Sequence, residues 1–432
     1  KLMSDNLNEA QYKKRFRKQL LSLFIQKYEG SKAFQEGKPS RIRPQIALKN
    51  SLFASDYYDE MDYRKREWIN ECLQELERMG IVELTWEKFQ TNREIAKVYF
   101  NLQSLETAYT LAGIIPKDQK IDQLRQILQP LQTHPWAWVR QWYTTVDQAL
   151  LAKKSAGFDL DDLQSYADLV KVLLYLPKVE GEISKRVLSQ ILFSNSKYLE
   201  QKVEARLVTL LKKGIDIELE RDEEYLEWVG IVQNPKTITL SGPLQFKINE
   251  KQVDLSVFTG GVGLSGKTVK EMHILSLAGA ERVVLIENLT SYHLWLAERE
   301  GEHELAIYLG GFPHYYLQLF LKKLARFIDQ HDLPLPVYHW GDIDLGGIRI
   351  FEYVKRECFP QLCPLWMGRD TLLNYLDQAT PLPANYLKKI SLLLEQPEYK
   401  FWHDVLQLML EKKVRLEQES ITNIVNPFYP KL

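Results

Sequence analysis

The stretch Pro336-Val337-Tyr338-His339-Trp340-Gly341-Asp342-Ile343-Asp344-Leu345-Gly346-Gly347-Ile348 decides how this chain folds. It opens on a short apolar run of the kind a buried parallel strand presents, and it closes on two glycines ahead of a helical pattern. Two aspartates with one residue between them lie in its middle. Where the backbone stays extended, residues i and i+2 point to the same side, so both carboxylates face one point. Well upstream a second apolar run, Arg282-Val283-Val284-Leu285-Ile286, ends in Glu287-Asn288. Two apolar strands, each ending in acid and each followed by a helix, predict that Glu287, Asp342 and Asp344 meet at the carboxyl edge of one parallel sheet. That edge is where open α/β folds bind ligands. Three hard oxygen donors there suit Mg²⁺ or Mn²⁺, the ions of phosphate chemistry.

The 432 residues are 45% hydrophobic and 26% charged, the make-up of an ordinary globular protein with two or three domains. A net charge of −1 leaves no overall basic field, so any nucleic-acid surface must be a local patch. Cys72, Cys358 and Cys363 form neither a disulfide framework nor a zinc spacing, and they read as reduced, buried thiols. No apolar run reaches the ~18 residues of a membrane helix, and the first residues are polar and charged. A cytoplasmic protein without a membrane partner is expected, with Met3 as its natural start.

Residues 9–28 read as a helix, with Phe16, Leu20, Leu21, Phe24 and Ile25 on one face and Lys13, Lys14, Arg15, Arg17 and Lys18 on the other. That basic face is either solvated or a DNA contact. A basic connector over 38–44 carries Arg41 and Arg43, a strong helix covers 64–79, and a short strand follows Gly80. Breaks near 113–120 and at Gln233-Asn234-Pro235 divide the chain into domains at 1–115, 116–235, 236–380 and a helical tail at 381–432. Within the second, residues 182–193 and 194–200 read as two short helices joined by a polar turn, a helix-turn-helix or a plain helical hairpin. Ser184, Lys185, Arg186 and Lys197 there suit phosphate contacts. After residue 235 come strands near 237–240, 244–248 and 253–255. An alternating order follows: strand 283–286, helix 294–300, strand 305–309, helix 315–330, strand 337–340, helix 348–356, strand 365–367.

A glutamate ending one strand and Asp-x-Asp ending another look like the Toprim domain of topoisomerases, primases and OLD-type nucleases. Glu287-Asn288-Leu289-Thr290-Ser291-Tyr292, Gly310-Gly311-Phe312-Pro313, Tyr338-His339-Trp340-Gly341-Asp342-Ile343-Asp344, Met367-Gly368-Arg369-Asp370-Thr371-Leu372-Leu373 and Arg415-Leu416-Glu417-Gln418-Glu419 narrow it. In that order they resemble the carboxyl-terminal domain of the JetD family, nuclease subunits of Wadjet anti-plasmid systems. Phe193-Ser194-Asn195-Ser196-Lys197-Tyr198-Leu199-Glu200 resembles the segment that precedes it. The resemblance covers residues 180–421, leaving the first 110 unmatched.

It implies an α/β fold, a Toprim sheet preceded by mainly helical, winged-helix-like domains, the second CAP-like as in the A subunit of topoisomerase VI. It further implies a homodimer that cuts double-stranded DNA alongside an SMC-kleisin-type complex. The nucleophilic tyrosine of that topoisomerase has no counterpart here; Tyr198 is the nearest and reads as a packing residue, since an unactivated phenol is a poor nucleophile. Hydrolysis assisted by Mg²⁺ or Mn²⁺ on Glu287, Asp342 and Asp344 is the expected chemistry. Glu417 and Glu419 are either a further acid or a solvated helical face, and His293 lies within reach of the site.

Gly261-Val262-Gly263-Leu264-Ser265-Gly266-Lys267-Thr268 matches a Walker A motif letter for letter. A P-loop ATP-binding regulatory module is therefore one alternative, and a non-catalytic DNA-binding scaffold of an SMC complex is another. Against the first, the strand ending in Glu287 follows too soon to leave room for a Walker B strand.

Overall fold

The first helix, Glu9–Glu29, forms where apolar residues recur every three or four positions, and Asn8 caps it by accepting a hydrogen bond from Ala10 N. Its buried stripe packs on Ile69, Leu73 and Leu76 of helix Arg64–Arg78. The same core takes in a three-stranded antiparallel sheet of β1 (Gln45–Ala47), β2 (Val82–Trp86) and β3 (Ile95–Phe100), in the order β1-β3-β2. Phe24 stacks on Phe100 with ring centroids 5.2 Å apart. Part of the basic face is neutralised within the fold: Lys13 pairs with Glu9 and Glu71, and Arg17 with Glu75. Helices Lys117–Leu128, Ala137–Leu151 and Leu163–Tyr175 follow.

This computed structural model describes residues 8–37, 43–277 and 279–424. Met3 and residues 38–42 of the basic connector lie outside the described residues. By internal contacts the chain divides into two units, Lys1–Leu174 and Tyr175–Leu432, and the candidate acids all lie in the second.

The second unit begins with β4 (Ile183–Ser184), paired in parallel with β5 (Ile231–Val232). Helix Lys185–Phe193 lies between them and ends at Ser194, which takes a left-handed φ of 53°. The next helical segment does not stop near residue 200. A π-helical turn at Leu199–Val203 runs straight into helix Glu204–Gly214, whose Leu207, Val208, Leu210 and Leu211 are buried. The turn is closed by buried Ser189, whose Oγ accepts from Leu199 N at 2.9 Å and donates to Asn195 O at 2.5 Å.

The chain then runs through β6 (Thr237–Ser241), β7 (Gln245–Ile248), β8 (Lys251–Asp254), β9 (Val262–Ser265) and β10 (His273–Ser276). It continues through β11 (Arg282–Ile286), β12 (Glu304–Tyr308), β13 (Val337–Trp340) and β14 (Cys363–Pro364). One antiparallel sheet has the order β10-β7-β8, and the main sheet the order β14-β13-β11-β12-β6-β9. β12, β11, β13 and β14 are parallel, and Val283–Ile286 are fully buried, the continuous apolar run of a central parallel strand. The sheet is mixed rather than purely parallel, because β6 pairs antiparallel with β12 and β9 antiparallel with β6, which leaves β9 as the edge on that side.

The fourth parallel strand lies at Cys363–Pro364 instead of 365–367, since Trp366 takes a positive φ of 53° and ends the extended run. The helix after Glu287 starts at Leu289 rather than 294, because Asn288 caps it by accepting from Thr290 N and Ser291 N. The last α-helix of the tail ends at Lys412, where left-handed Lys413 turns the chain into β16 (Val414–Arg415), paired antiparallel with β15 (Thr380–Pro381), before a short 3-10 turn at Gln418–Ser420. Cys72 is buried as expected, whereas Cys363 is exposed.

The Walker-like stretch is not a phosphate loop. Residues 262–265 are the edge strand β9, paired with β6 from Thr237↔Ser265 to Leu240↔Val262. The helix that follows, Gly266–Glu271, is six residues long, and Lys267 stands 82% exposed, 3.9 Å from Glu271.

Candidate active site

β11 and β13 are registered neighbours, with Ile286 beside Trp340, and Glu287 N donates to Trp340 O at 3.0 Å. Glu287 therefore leaves the sheet next to Gly341, and a Cβ at Gly341 would collide with Glu287 Oε2. A side chain there would have to displace the carboxylate that occupies the space.

Beyond β13 the chain stays extended through Asp-x-Asp because Ile343 makes an antiparallel bridge with Leu416 of the tail. Ile343 N donates to Leu416 O at 2.8 Å, and Leu416 N to Ile343 O at 3.2 Å. Asp344 then caps helix Leu345–Glu357, its Oδ1 accepting from Gly347 N at 2.8 Å. Gly347 has no room for a Cβ, which would meet the Asp342 carbonyl. Asp342 Oδ1 accepts from Gln418 N at 2.6 Å.

Glu287, Asp342 and Asp344 line one cleft of about 420 Å³, together with Glu220, Glu224, Arg221, Tyr308 and the Gly310-Gly311 turn. Burial and then the charges of Asp342 and Asp344 push the Glu287 carboxyl well above the carboxylate range. Burial and then Asp344 push Asp342 up to about 7, and burial raises Asp344 against the pull of Gly347 N–H and Arg415. Glu220 is raised by burial and next by Asp344. Nothing in the sequence tied Glu220 to the other acids, because it stands in the acidic run 218–224, far from either strand.

Partner supply separates this edge of the sheet from the other. At the amino end of β12, buried Glu304 is held by Arg282 at 2.7 Å, by Arg299 at 2.6 Å and by Trp295 Nε1 at 3.0 Å, as a structural acid should be. Glu287 has nothing comparable. Its Oε2 is enclosed, makes no hydrogen bond among the described residues, and lies 3.9 Å from Nε2 of fully buried His339. Burial depresses the His339 imidazole to about 3, so it carries no compensating charge. Arg415 stands beside the aspartates, 3.5 Å from Asp344 and 3.5 Å from Glu417.

Among the described residues no three His, Cys, Asp or Glu side chains are already drawn together as a metal cluster. The fit to a cation rests on donor chemistry. Buried carboxylates that raise one another's proton affinity, one with an unpartnered oxygen, accept a hard divalent ion in place of protons.

His293 is exposed and stands apart from this cleft, while His314 is buried against Glu182 at 2.6 Å. Glu419 lies in a short 3-10 turn, Gln418–Ser420, that Glu417 precedes, and it accepts from Asn288 Nδ2. The phosphate-contact candidates divide. Arg186 and Lys197 are exposed, whereas Lys185 is 12% exposed and bound to Glu204 at 2.8 Å. Ser184 Oγ donates to Gln233 O at 3.3 Å. Tyr198 packs on Phe193 with centroids 4.7 Å apart.

Residues 239–427 match the family described as Wadjet protein JetD, C-terminal, and residues 10–212 match a family described as an uncharacterized amino-terminal region found in bacteria. Wadjet protein JetD of Bacillus cereus (strain Q1) is 39% identical over 411 residues, spanning 95% of this chain and 99% of that protein. With an identity of this size along nearly the whole length of both proteins, the chain belongs to the JetD family of Wadjet proteins.

Proposed function

We propose that the acidic cleft is the catalytic centre of a Toprim-type, metal-dependent DNA endonuclease acting within a Wadjet defence complex. The observation that carries this is the convergence of Glu287, Asp342 and Asp344 at the carboxyl ends of adjacent parallel strands, buried and short of cationic partners.

Glu287, Asp342 and Asp344 would hold Mg²⁺ or Mn²⁺, with Glu220 lining the same cleft. An ion bound there would supply Lewis acidity to the phosphodiester and offset charge on the departing oxygen. Asp344 is locked by its capping bond and Asp342 by the Gln418 amide, so both aim into the cleft without a loss of rotamer freedom at the moment of reaction. Burial and the neighbouring aspartates push the Glu287 carboxyl above the carboxylate range. It serves as a ligand or, alternatively, takes up a proton as general base once its charged form is restored. Arg415 sets positive charge at the rim, where the DNA backbone enters. A homodimer, one centre per strand, cuts both strands, with an SMC-kleisin-type complex presenting the plasmid.

The test is plasmid cleavage by the full chain with its partner complex and Mg²⁺ or Mn²⁺. Asp342→Ala should lower cleavage by roughly 10²–10³-fold, the scale of lost transition-state charge stabilisation, while remaining folded. Lys267→Ala should cleave normally. If Lys267→Ala abolishes cleavage and Asp342→Ala does not, the nuclease assignment is wrong.

A further inference from the structure

The tail segment 414–420 packs against the strand ends that carry the acids, and one of its side chains is out of place for a surface strap. Gln418 is only 1% exposed, although glutamine is ordinarily a surface residue. Its Oε1 accepts from Asn288 N at 2.7 Å, and its Nε2 donates to Trp340 O at 2.9 Å. Its own backbone N–H is the donor that holds Asp342 Oδ1. Asn288 directly follows Glu287, and Trp340 stands two residues before Asp342, so a single amide group spans the ends of the two strands that carry the acids.

We propose that Gln418 is a positioning residue of the acid site: by clamping the ends of β11 and β13 it sets the separation of Glu287 from Asp342 and aims the Asp342 carboxylate into the cleft. The function assigned to this clamp rests on the metal-dependent reading of the site. The geometry explains why the residue is an amide. Asn288 N offers a donor and Trp340 O an acceptor, and only a side chain with both an acceptor and a donor satisfies the two at once. The neighbouring Ile343–Leu416 bridge keeps Asp-x-Asp extended, so the strap fixes the direction of that pair as well as its distance from Glu287.

The test uses the full-length protein and two substitutions. Gln418→Met keeps the volume and removes both side-chain hydrogen bonds. Gln418→Glu keeps the shape and the acceptor for Asn288 N and loses the donor to Trp340 O. Mn²⁺ affinity is measured by calorimetric titration well below the unfolding temperature of each variant, where a purely structural role leaves the folded site unchanged. Outer-shell partners of metal ligands typically change affinity about 10–100-fold, so Gln418→Met should raise the Mn²⁺ Kd by about that factor, and Gln418→Glu by less. Crystal structures of both variants should show the Asp342 carboxylate turned from its present position. Unchanged affinity together with an unmoved Asp342 overturns the proposal. Should the wild-type protein bind no Mn²⁺, the metal reading fails, and the position of Asp342 in the variants still decides whether Gln418 is the clamp. If Gln418→Met does not fold, the Gln418→Glu pair of measurements decides.

Discussion

Three buried carboxyls beside one another make this site sensitive to pH in a defined direction. Asp342 has its folded pKa raised to about 7, first by burial and then by Asp344, while the unfolded chain keeps a value near 3.9. The folded state therefore binds more protons between those limits. The stability contributed by this group is complete below about pH 4 and is lost as pH rises through 7. Chemical denaturation of the metal-free protein should show stability falling by up to about 1.4 kcal/mol per pH unit per proton over that window. Saturating Mn²⁺ should flatten the decline, since the ion replaces the protons; an unchanged slope would contradict the carboxyl cluster. At the same scale, Gly341→Ala drives a methyl into Glu287 Oε2. Overpacking of this kind costs about 1–3 kcal/mol, and because the atom displaced is a candidate ligand, cleavage should fall more than stability does. Parallel melting and cleavage measurements check this.

For the helical pair ahead of the sheet, the useful surface is smaller than its charge count. Lys185 is bound to Glu204, which leaves Arg186 and Lys197 as the exposed cations among the four candidates of residues 184–197. Reversing both charges (Arg186→Glu with Lys197→Glu) should weaken DNA binding about equally for all sequences and reduce the slope of log affinity against log salt by about two, if each neutralises one phosphate. Lys185→Glu should instead lower stability by setting two like charges together. Filter binding over a salt series, alongside thermal melts, separates the two cases. An unaltered salt slope in the double variant would reduce the pair to a packing element.

Across the whole molecule, the acids come from two strands and are backed by a tail more than seventy residues beyond the second of them. A metal bound by the proposed site would stabilise only the state that assembles all three segments. Hydrogen exchange with and without Mn²⁺ should therefore show added protection at 283–288, 339–347 and 414–420, with none in helix Glu9–Glu29 of the other unit. Protection confined to one of the three segments would mean that the tail is not part of the site.

The local patterns alone determined the parallel core and the meeting of Glu287, Asp342 and Asp344 at the ends of adjacent strands, though not the place of the last parallel strand. Buried parallel strands are continuous apolar runs, and ligand-binding acids follow them directly in sequence. Helix Tyr315–Gln330 and strand Val337–Trp340 were legible to the residue, because periodicity and flanking breaks agree there. Tertiary structure decided everything that depends on partners distant in sequence. The Walker-like letters are an edge strand because β6 was available to pair with them. The helical pattern of the tail yields after Lys412 because β15 and Ile343 offer it backbone partners. Glu220 reached the acid cleft unannounced, since it obeys no period and belongs to no motif. Gln418 stands in the Arg415–Glu419 stretch that carries the family resemblance, but only the fold gives its amide the backbone groups of Asn288 and Trp340 to hold.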